Sequence, residues 1–503
     1  MSNCILELKL ITQPWHEHKL EHIFRCSEKM YNAMVRHTVR QLDKLNHDND
    51  YQLLLSNYRQ CTNKKDKADI SRLLKDKVLS YGLSEYAFHT YIAKMKRESY
   101  KGVLDIDTAQ KIATRAWKAT ADVLYSNSKK LHFKTKGTLD SIESKKNTSG
   151  IKFDKDTLTC KFKGMVVPVK IRQNDTYAQE MLTHKICYCR IVRKPFKTGY
   201  KYFIQLVLDG KPPLKFTLGS GNVGLDMGTS SLSAIGDKDG IFVAHGNNMS
   251  KTNNQTTHKY NKLILKLTRK LERQRRLNNP LNYNNDGTIK KGAKHWVRSK
   301  GYYRTLFALK DAYRRKACFV KQEHNKTANK VLSLGDRFIT EPMDWKALQK
   351  RSSKTEKSNK TVIVKKKDGS TRTVNKNKKS KRYGKSLGNH SPGLCEQIII
   401  RKLGYVNKQL EYVNNRTYRA SQYNPGQNTY DKCSLNDRWK LVFNKPIQRD
   451  LLSAFLLQNP LDDLESIDIV TVQNKWQQFI EIHDKIVADI TGTPNLPKCM
   501  GIK

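Results

Sequence analysis

A short apolar run that ends in a carboxylate constrains a fold strongly, and this chain has two. Val223-Gly-Leu-Asp-Met-Gly-Thr-Ser-Ser231 and Arg337-Phe-Ile-Thr-Glu-Pro-Met-Asp-Trp345 read as buried strands with Asp226 and Glu341 at their ends. A third acidic residue, Asp450 in Ile447-Gln-Arg-Asp-Leu-Leu-Ser-Ala-Phe455, opens an apolar stretch compatible with a helix. Carboxylates in such places can converge at one edge of a sheet. A buried cluster of like charges is strongly unfavourable unless cations sit in it. The sharpest reading is therefore a Mg²⁺ site made by Asp226, Glu341 and Asp450, of the two-metal nuclease type.

The charge balance supplies the partner. The chain carries 95 Lys and Arg against 46 Asp and Glu, a net charge of +49. An excess of this size implies a polyanion, and nucleic acid is the default candidate. No apolar run approaches the roughly 20 residues of a spanning helix, and no lipidation signal is visible, so no membrane partner is expected. The start, Met-Ser-Asn-Cys-Ile-Leu, lacks the charged and apolar regions of a secretory signal. A cytoplasmic location is expected. The ten cysteines are scattered and form no CxxC pair, which argues against a disulfide framework and against a zinc ribbon.

The hydrophobic period changes along the chain in a way that suggests an interrupted β domain. Cys4 to Ile11 alternates like a strand, and helical spacing then recurs in Tyr31 to Leu45, Ile70 to Leu79, Tyr86 to Met95 and Ile112 to Leu124. Short strands of an antiparallel, barrel-like unit follow at Ile151 to Phe153, Thr157 to Phe162, Val166 to Ile171, Lys185 to Val192 and Tyr202 to Leu208. Beyond the turn-rich Leu218-Gly-Ser-Gly221, strands are expected around Asp226. An amphipathic helix comes next, with Tyr260, Leu263, Ile264, Leu267 and Leu271 on one face and basic residues largely elsewhere. Among those basic residues, Lys262, Lys266, Arg269 and Arg273 are the candidates for phosphate contact. A second helix is expected from Tyr302 to His324, a Lys-rich loop with an Asp368-Gly369 hairpin turn over 352–385, and a C-terminal helix from Trp476 to Ile490.

Two other motifs carry competing chemistry. His18-Lys-Leu-Glu-His22 fits an inverted zinc-peptidase pattern but has no third ligand nearby; exposed histidines at a helix start are the plainer account. Gly224-Leu-Asp-Met-Gly-Thr-Ser230 is similar to the phosphate turn of actin-like sugar kinases, yet no second phosphate loop or adenosine motif follows.

Taken with their order and the lobe before them, the three acidic motifs resemble those of the TnpB proteins of bacterial insertion sequences and the related type V CRISPR effectors. Val223-Gly-Leu-Asp-Met-Gly228 resembles the first RuvC motif, Phe338-Ile-Thr-Glu341 the second, and Gln448-Arg-Asp450 with Ala454 the third. Leu83-Ser-Glu-Tyr86 and His132-Phe-Lys-Thr-Lys136 are similar to shorter family signatures. The resemblance implies a multidomain α+β protein. Residues 1–12 and 131–217 would form a barrel-like wedge domain, 13–130 a helical recognition insertion, and 218–503 an RNase H-like (RuvC) nuclease domain. The last would contain a basic helical hairpin at about 254–330 and a degenerate ribbon at 418–440.

The resemblance further implies an RNA-guided DNA endonuclease. Its catalytic residues would be Asp226, Glu341 and Asp450, with Asp226 shared between two Mg²⁺ ions; Mn²⁺ is an alternative metal. Its partners would be a guide RNA of transposon or CRISPR origin and double-stranded target DNA with a short flanking motif. The family's zinc ribbon has no counterpart here, so no zinc is expected, and Tyr418, Tyr423 and Trp439 are expected to brace that region by packing. Gln448 stands where the family's third motif begins with aspartate, and Leu452 where it has asparagine. A catalytically inactive guided DNA binder or repressor, and a protein-only RuvC-type resolvase or transposase, are the alternatives.

Overall fold

The structure, a computed structural model, describes residues 3–126, 128–245, 257–293, 295–350, 357–365, 370–377, 383–432, 434, 436–493, 496 and 498–502. The Asp368-Gly369 turn, residues 254–256 of the basic hairpin and residues 352–356, 366–369 and 378–382 of the Lys-rich loop lie outside them. The chain forms two compact units, Met1–Pro213 and Leu214–Lys503.

In the first unit, β1 (Asn3–Leu10) buries Cys4, Leu6, Leu8 and Leu10 and exposes the residues between, the alternation of a one-sided strand. Five helices follow: α1 (Pro14–Asn46), α2 (Asn49–Gln60), α3 (Lys64–Ser80), α4 (Glu85–Ser99) and α5 (Ile106–Tyr125). Pro14 suits the first turn of α1, where no intrahelical N–H is needed. Asp48, Asn63, Ser84 and Asp105 cap the other four through their side chains. The family-like Leu83-Ser-Glu-Tyr86 is thus the capped start of α4. His18 and His22 are both exposed on α1.

The chain then returns to the sheet through β2 (Ser141–Glu143), β3 (Lys152–Asp154), β4 (Thr159–Phe162), β5 (Met165–Lys170), α6 (Thr176–Thr183), β6 (Lys185–Phe196) and β7 (Gly199–Asp209). The strand order is β2-β6-β7-β1-β5-β4-β3, antiparallel throughout. Among the described residues no ladder joins β3 to β2, so the sheet is not closed by backbone pairing as a barrel would be. Side chains bridge the gap instead: Ser144 donates to the Ile151 carbonyl at 3.1 Å, and Asn147 bonds both backbone groups of Phe153. Helices and sheet share one core, with Phe24, Met34, Ile92 and Ile112 against Leu6, Ile204 and Leu206.

The second unit is built on a mixed sheet. Its first strands are β8 (Asn222–Met227), β9 (Ser231–Ile235) and β10 (Gly240–Ala244). The helical hairpin α7 (Thr257–Leu277) and α8 (Lys300–Leu332) leads to β11 (Arg337–Thr340). After α9 (Trp345–Gln349), β12 (Lys357–Lys365) and β13 (Thr371–Asn377) pair as an antiparallel hairpin. Then come α10 (Gly384–His390), α11 (Pro392–Tyr405) and β14 (Leu410–Tyr412).

The sheet order is β10-β9-β8-β11-β14; the first three strands are antiparallel, whereas β11 runs parallel to both β8 and β14. Two small hairpins follow, β15 (Tyr423–Asn424) with β16 (Thr429–Tyr430) and β17 (Trp439–Val442) with β18 (Lys445–Gln448). The chain ends in α12 (Arg449–Gln458), α13 (Ile469–Asn474) and α14 (Trp476–Ile490).

Both faces of this sheet are covered, which is why every residue of β9 and three of the four in β11 are buried. Val223, Leu225 and Phe338 pack with α8 and α11 on one side. Ile339 packs with α12 and α14 on the other. In the region expected to be braced without zinc, Tyr418 and Tyr423 are buried, and Tyr418 donates to the Leu456 carbonyl at 2.6 Å. Trp439 stays 39% exposed and donates to the Gly501 carbonyl.

Candidate active site

Strand periodicity places the first carboxylate. Val223, Leu225 and Met227 point into the α8/α11 core, so Gly224 and Asp226 share the opposite face. That face is covered by α12, and Gly224 is what admits it. A Cβ at position 224 would lie 2.0 Å from the Ala454 carbonyl oxygen and 2.3 Å from the Gln458 nitrogen. The helix backbone therefore rests directly on the strand.

One turn nearer its start, α12 brings its own carboxylate to the site. Asp450 lies in the first turn, where the helix dipole favours negative charge. The register is held at both ends. Ser233, paired with Asp226 across β8 and β9, donates to the Asp450 carbonyl at 2.6 Å. Gln458 donates to the Asn222 carbonyl and to Asp237.

Glu341 arrives through parallel pairing. Ile339 lies beside Gly224 and Thr340 beside Leu225, so continuing the register by one residue sets Glu341 next to Asp226. The Thr340 hydroxyl donates to the Leu225 carbonyl at 2.8 Å and fixes this end of β11. All three predicted acidic residues are thereby brought to one edge of the sheet.

The electrostatics show how closely the charges interact. Burial pushes the Asp226 carboxyl well above the ordinary carboxylate range; the charges of Asp450 and Glu341 push it further, while a hydrogen bond from Ser453 and the positive charge of Arg449 oppose them. Burial also raises Glu341 and Asp450, and for Asp450 the neighbouring Arg449 and Arg438 pull back. Hard carboxylate oxygens with this much unrelieved negative charge suit a hard divalent cation. Among the described residues the three carboxylates do not bring one oxygen each within 4.8 Å of both others.

Several residues of the site carry no signal in the sequence. Gln448 caps α12, accepting from the Leu451 N–H at 2.9 Å, although Gln is not a favoured cap type. Its own N–H donates to His483 Nε2 at 3.0 Å, and His483 Nδ1 pairs with Asp484 at 2.8 Å. Burial lowers the His483 pKa, which agrees with a neutral ring that accepts through Nε2. Arg449 is held by the Ser434 carbonyl at 3.0 Å, with its Nε 3.9 Å from Asp450.

The predicted phosphate-binding residues lie elsewhere in this unit. Lys262, Lys266, Arg269 and Arg273 are all exposed on α7, and their spacing puts them on one stripe of the helix. None of the four makes an ion pair among the described residues. The apolar face of α7 is narrower than its sequence suggests. Tyr260 is buried against Phe319 and Val320 of α8, but Leu263 is 38% exposed, at the flank of that contact.

The half-buried Asp226 carboxyl, beside two other carboxylates, gives a pH dependence with a definite sign. Its folded pKa is raised, so between its unfolded and folded values the fold binds more protons than the unfolded chain, and stability falls as pH rises. In metal-free protein, thermal unfolding followed from about pH 4 to about pH 8 should show Asp226→Asn with a flatter profile and a higher melting temperature at the alkaline end. Mg²⁺ should raise the melting temperature of the natural protein and leave that of Asp226→Asn nearly unchanged.

No protein-family model matches the chain, and no curated protein matches it. Solved structures do match. A cryo-EM structure of the Cas12f1-sgRNA-target DNA complex is similar over 91% of this chain and 99% of that chain, at 10% sequence identity and a TM-score of 0.43. A cryo-EM structure of a CRISPR-Cas12f ternary complex is similar over 90% of this chain and 86% of that one, at 10% identity and a TM-score of 0.23. Among the described residues no helix is long and apolar enough to cross a membrane.

Proposed function

We propose that this chain is an RNA-guided DNA endonuclease whose RNase H-like second unit hydrolyses phosphodiester bonds at Asp226, Glu341 and Asp450. The observation that carries the nuclease reading is the convergence of three carboxylates, from β8, the end of β11 and the start of α12, on one sheet edge. The mixed five-stranded order with helices on both faces supports the RNase H-like assignment. Guidance by RNA rests on the resemblance of the three motifs and on the +49 charge, which suits a scaffold RNA, a heteroduplex and a displaced strand held together.

Asp226 lies in the middle of the three and would be shared between two Mg²⁺ ions, with Glu341 and Asp450 on either side. Bound Mg²⁺ supplies activation of the attacking water and neutralises charge at the leaving 3′ oxygen. Ser453 orients Asp226 by its hydrogen bond, and Arg449 and Arg438 offset the negative charge around Asp450. The start of α12 also presents a helix N-terminus, which attracts phosphate.

The basic stripe of α7 fits nucleic-acid backbone. Replacing Lys262, Lys266, Arg269 and Arg273 together by alanine should flatten the dependence of log affinity on log salt by about 3 to 4 if all four meet phosphates of a duplex. Filter binding across a salt series measures this, and an unchanged slope would remove the stripe from the interface. The guide itself is tested by sequencing RNA that co-purifies with the protein. One defined species is expected; RNA-free protein that is fully active on any DNA would overturn the proposal.

A further inference from the structure

On the face of the second-unit sheet opposite Asp226, three side chains from separate elements meet. His245 follows β10, His324 lies on α8 and Cys395 on α11, and one donor atom from each lies within 4.8 Å of the other two. They are 2%, 0% and 0% exposed.

The hydrogen bonds around them leave lone pairs unused. His324 Nε2 lies 2.9 Å from the His390 carbonyl oxygen, which can only accept, so the proton is on Nε2 and Nδ1 carries a lone pair. That Nδ1 is buried without a well-formed hydrogen bond, as are both ring nitrogens of His245, which the Gly228 and Ser231 carbonyls approach only in poor geometry. The Cys395 thiol makes no hydrogen bond among the described residues. Buried polar atoms are nearly always satisfied, and three orphaned imidazole nitrogens in one pocket are costly. Two imidazoles and a thiol are the donors a borderline-soft divalent ion prefers. An imidazole whose other nitrogen donates to a backbone carbonyl is the usual outer support of such a ligand.

We propose that His245, His324 and Cys395 form a structural site for Zn²⁺ or a similar transition-metal ion, distinct from the carboxylate site. On binding, the Cys395 thiol gives its proton to solvent as the sulfur–metal bond forms, and a fourth donor completes the tetrahedron. The site has a place in the architecture. His390 of α10 donates through Nδ1 to the His245 carbonyl at 2.6 Å, and Ser386 of α10 donates to the Thr229 carbonyl in the turn after β8. An ion here would tie α8, α11 and the end of β10 together behind the strand that carries Asp226. The proposal departs from the expectation of no zinc, which followed from the missing CxxC pairs.

The test is metal binding by the full chain. Protein stripped with a chelator and reloaded with one equivalent of Co²⁺ should show the visible bands of a tetrahedral ion and a thiolate-to-cobalt charge-transfer band. X-ray absorption of the zinc form should show one sulfur and two imidazole nitrogens. Both signatures should persist in Asp226→Ala and Cys318→Ala, whereas Cys395→Ala or His324→Leu should weaken zinc binding by about 100-fold or more. Failure of the natural protein to retain zinc, or a zinc shell without sulfur, would overturn the proposal. So would a charge-transfer band that survives in folded Cys395→Ala. Should that variant not fold, the scatterer count on the natural protein decides.

Discussion

Asp226→Ala is expected to lower Mg²⁺-dependent DNA cleavage by about a thousandfold or more while leaving nucleic-acid affinity nearly unchanged. The size of the effect follows from position. Asp226 is the carboxylate whose pKa is raised by the charges of both Asp450 and Glu341, so its removal leaves the other two without their common neighbour. The fold should not suffer, because a half-buried carboxylate under like-charge repulsion destabilises the metal-free protein. Single-turnover cleavage and equilibrium binding on the same preparation separate the two effects. Cleavage at the natural rate in the variant would exclude this site.

Gly224→Ala is the second large effect expected, and it acts through packing. The added Cβ would lie 2.0 Å from a backbone carbonyl of α12, and no rotamer change relieves a clash between two backbones. The helix must move outward, at a cost of about 3 kcal/mol or more. For a unit of this size that corresponds to a fall in melting temperature of roughly 6 to 10 °C. The displacement carries Asp450 and Ser453 away from Asp226, and a misplacement of about 1 Å is enough to cost about 100-fold in rate. Gly404, in α11, has nothing within 4 Å of an added Cβ, so Gly404→Ala is the control expected to keep both stability and cleavage. Calorimetry and cleavage assays on the two variants test the claim that Gly224 sets the spacing of the site.

The physical basis of these predictions also explains what was legible in the sequence. Asp226 and Glu341 stood out because a charged residue at the end of an apolar run needs a reason, and α14 was read with its observed ends because its amphipathic period is strong. The first unit's sheet was foreshadowed by the alternation of β1 and the strands near β3 to β7. Other elements left little trace. Of α2, only Tyr51 is buried, so no apolar period marks it. Strands β10, of five residues, and β14, of three, were not anticipated. Leu263 was expected on the buried face of α7, but a helix covered along one narrow line leaves the flanks of its apolar stripe in solvent.

At the site, the residues missed are those whose role depends on tertiary neighbours. Nothing local tells that Gly224 will receive a helix backbone, that Ser453 will reach Asp226 or that Gln448 will cap α12. His245, His324 and Cys395 are the extreme case: each comes from a different element, so no spacing motif connects them. A Cys-spacing rule reads only ligands close together in the sequence, so it says nothing for or against the site proposed there.

The central claim is that a guide RNA directs hydrolysis at Asp226, Glu341 and Asp450. It is tested most directly by incubating the protein, loaded with its own sequenced RNA and Mg²⁺, with duplex DNA that either matches or does not match the guide. Cleavage of the matched duplex alone, lost on removal of RNA and in Asp226→Ala, is the predicted result. Equal cutting of both duplexes, or matched cutting that persists without Asp226, would contradict it.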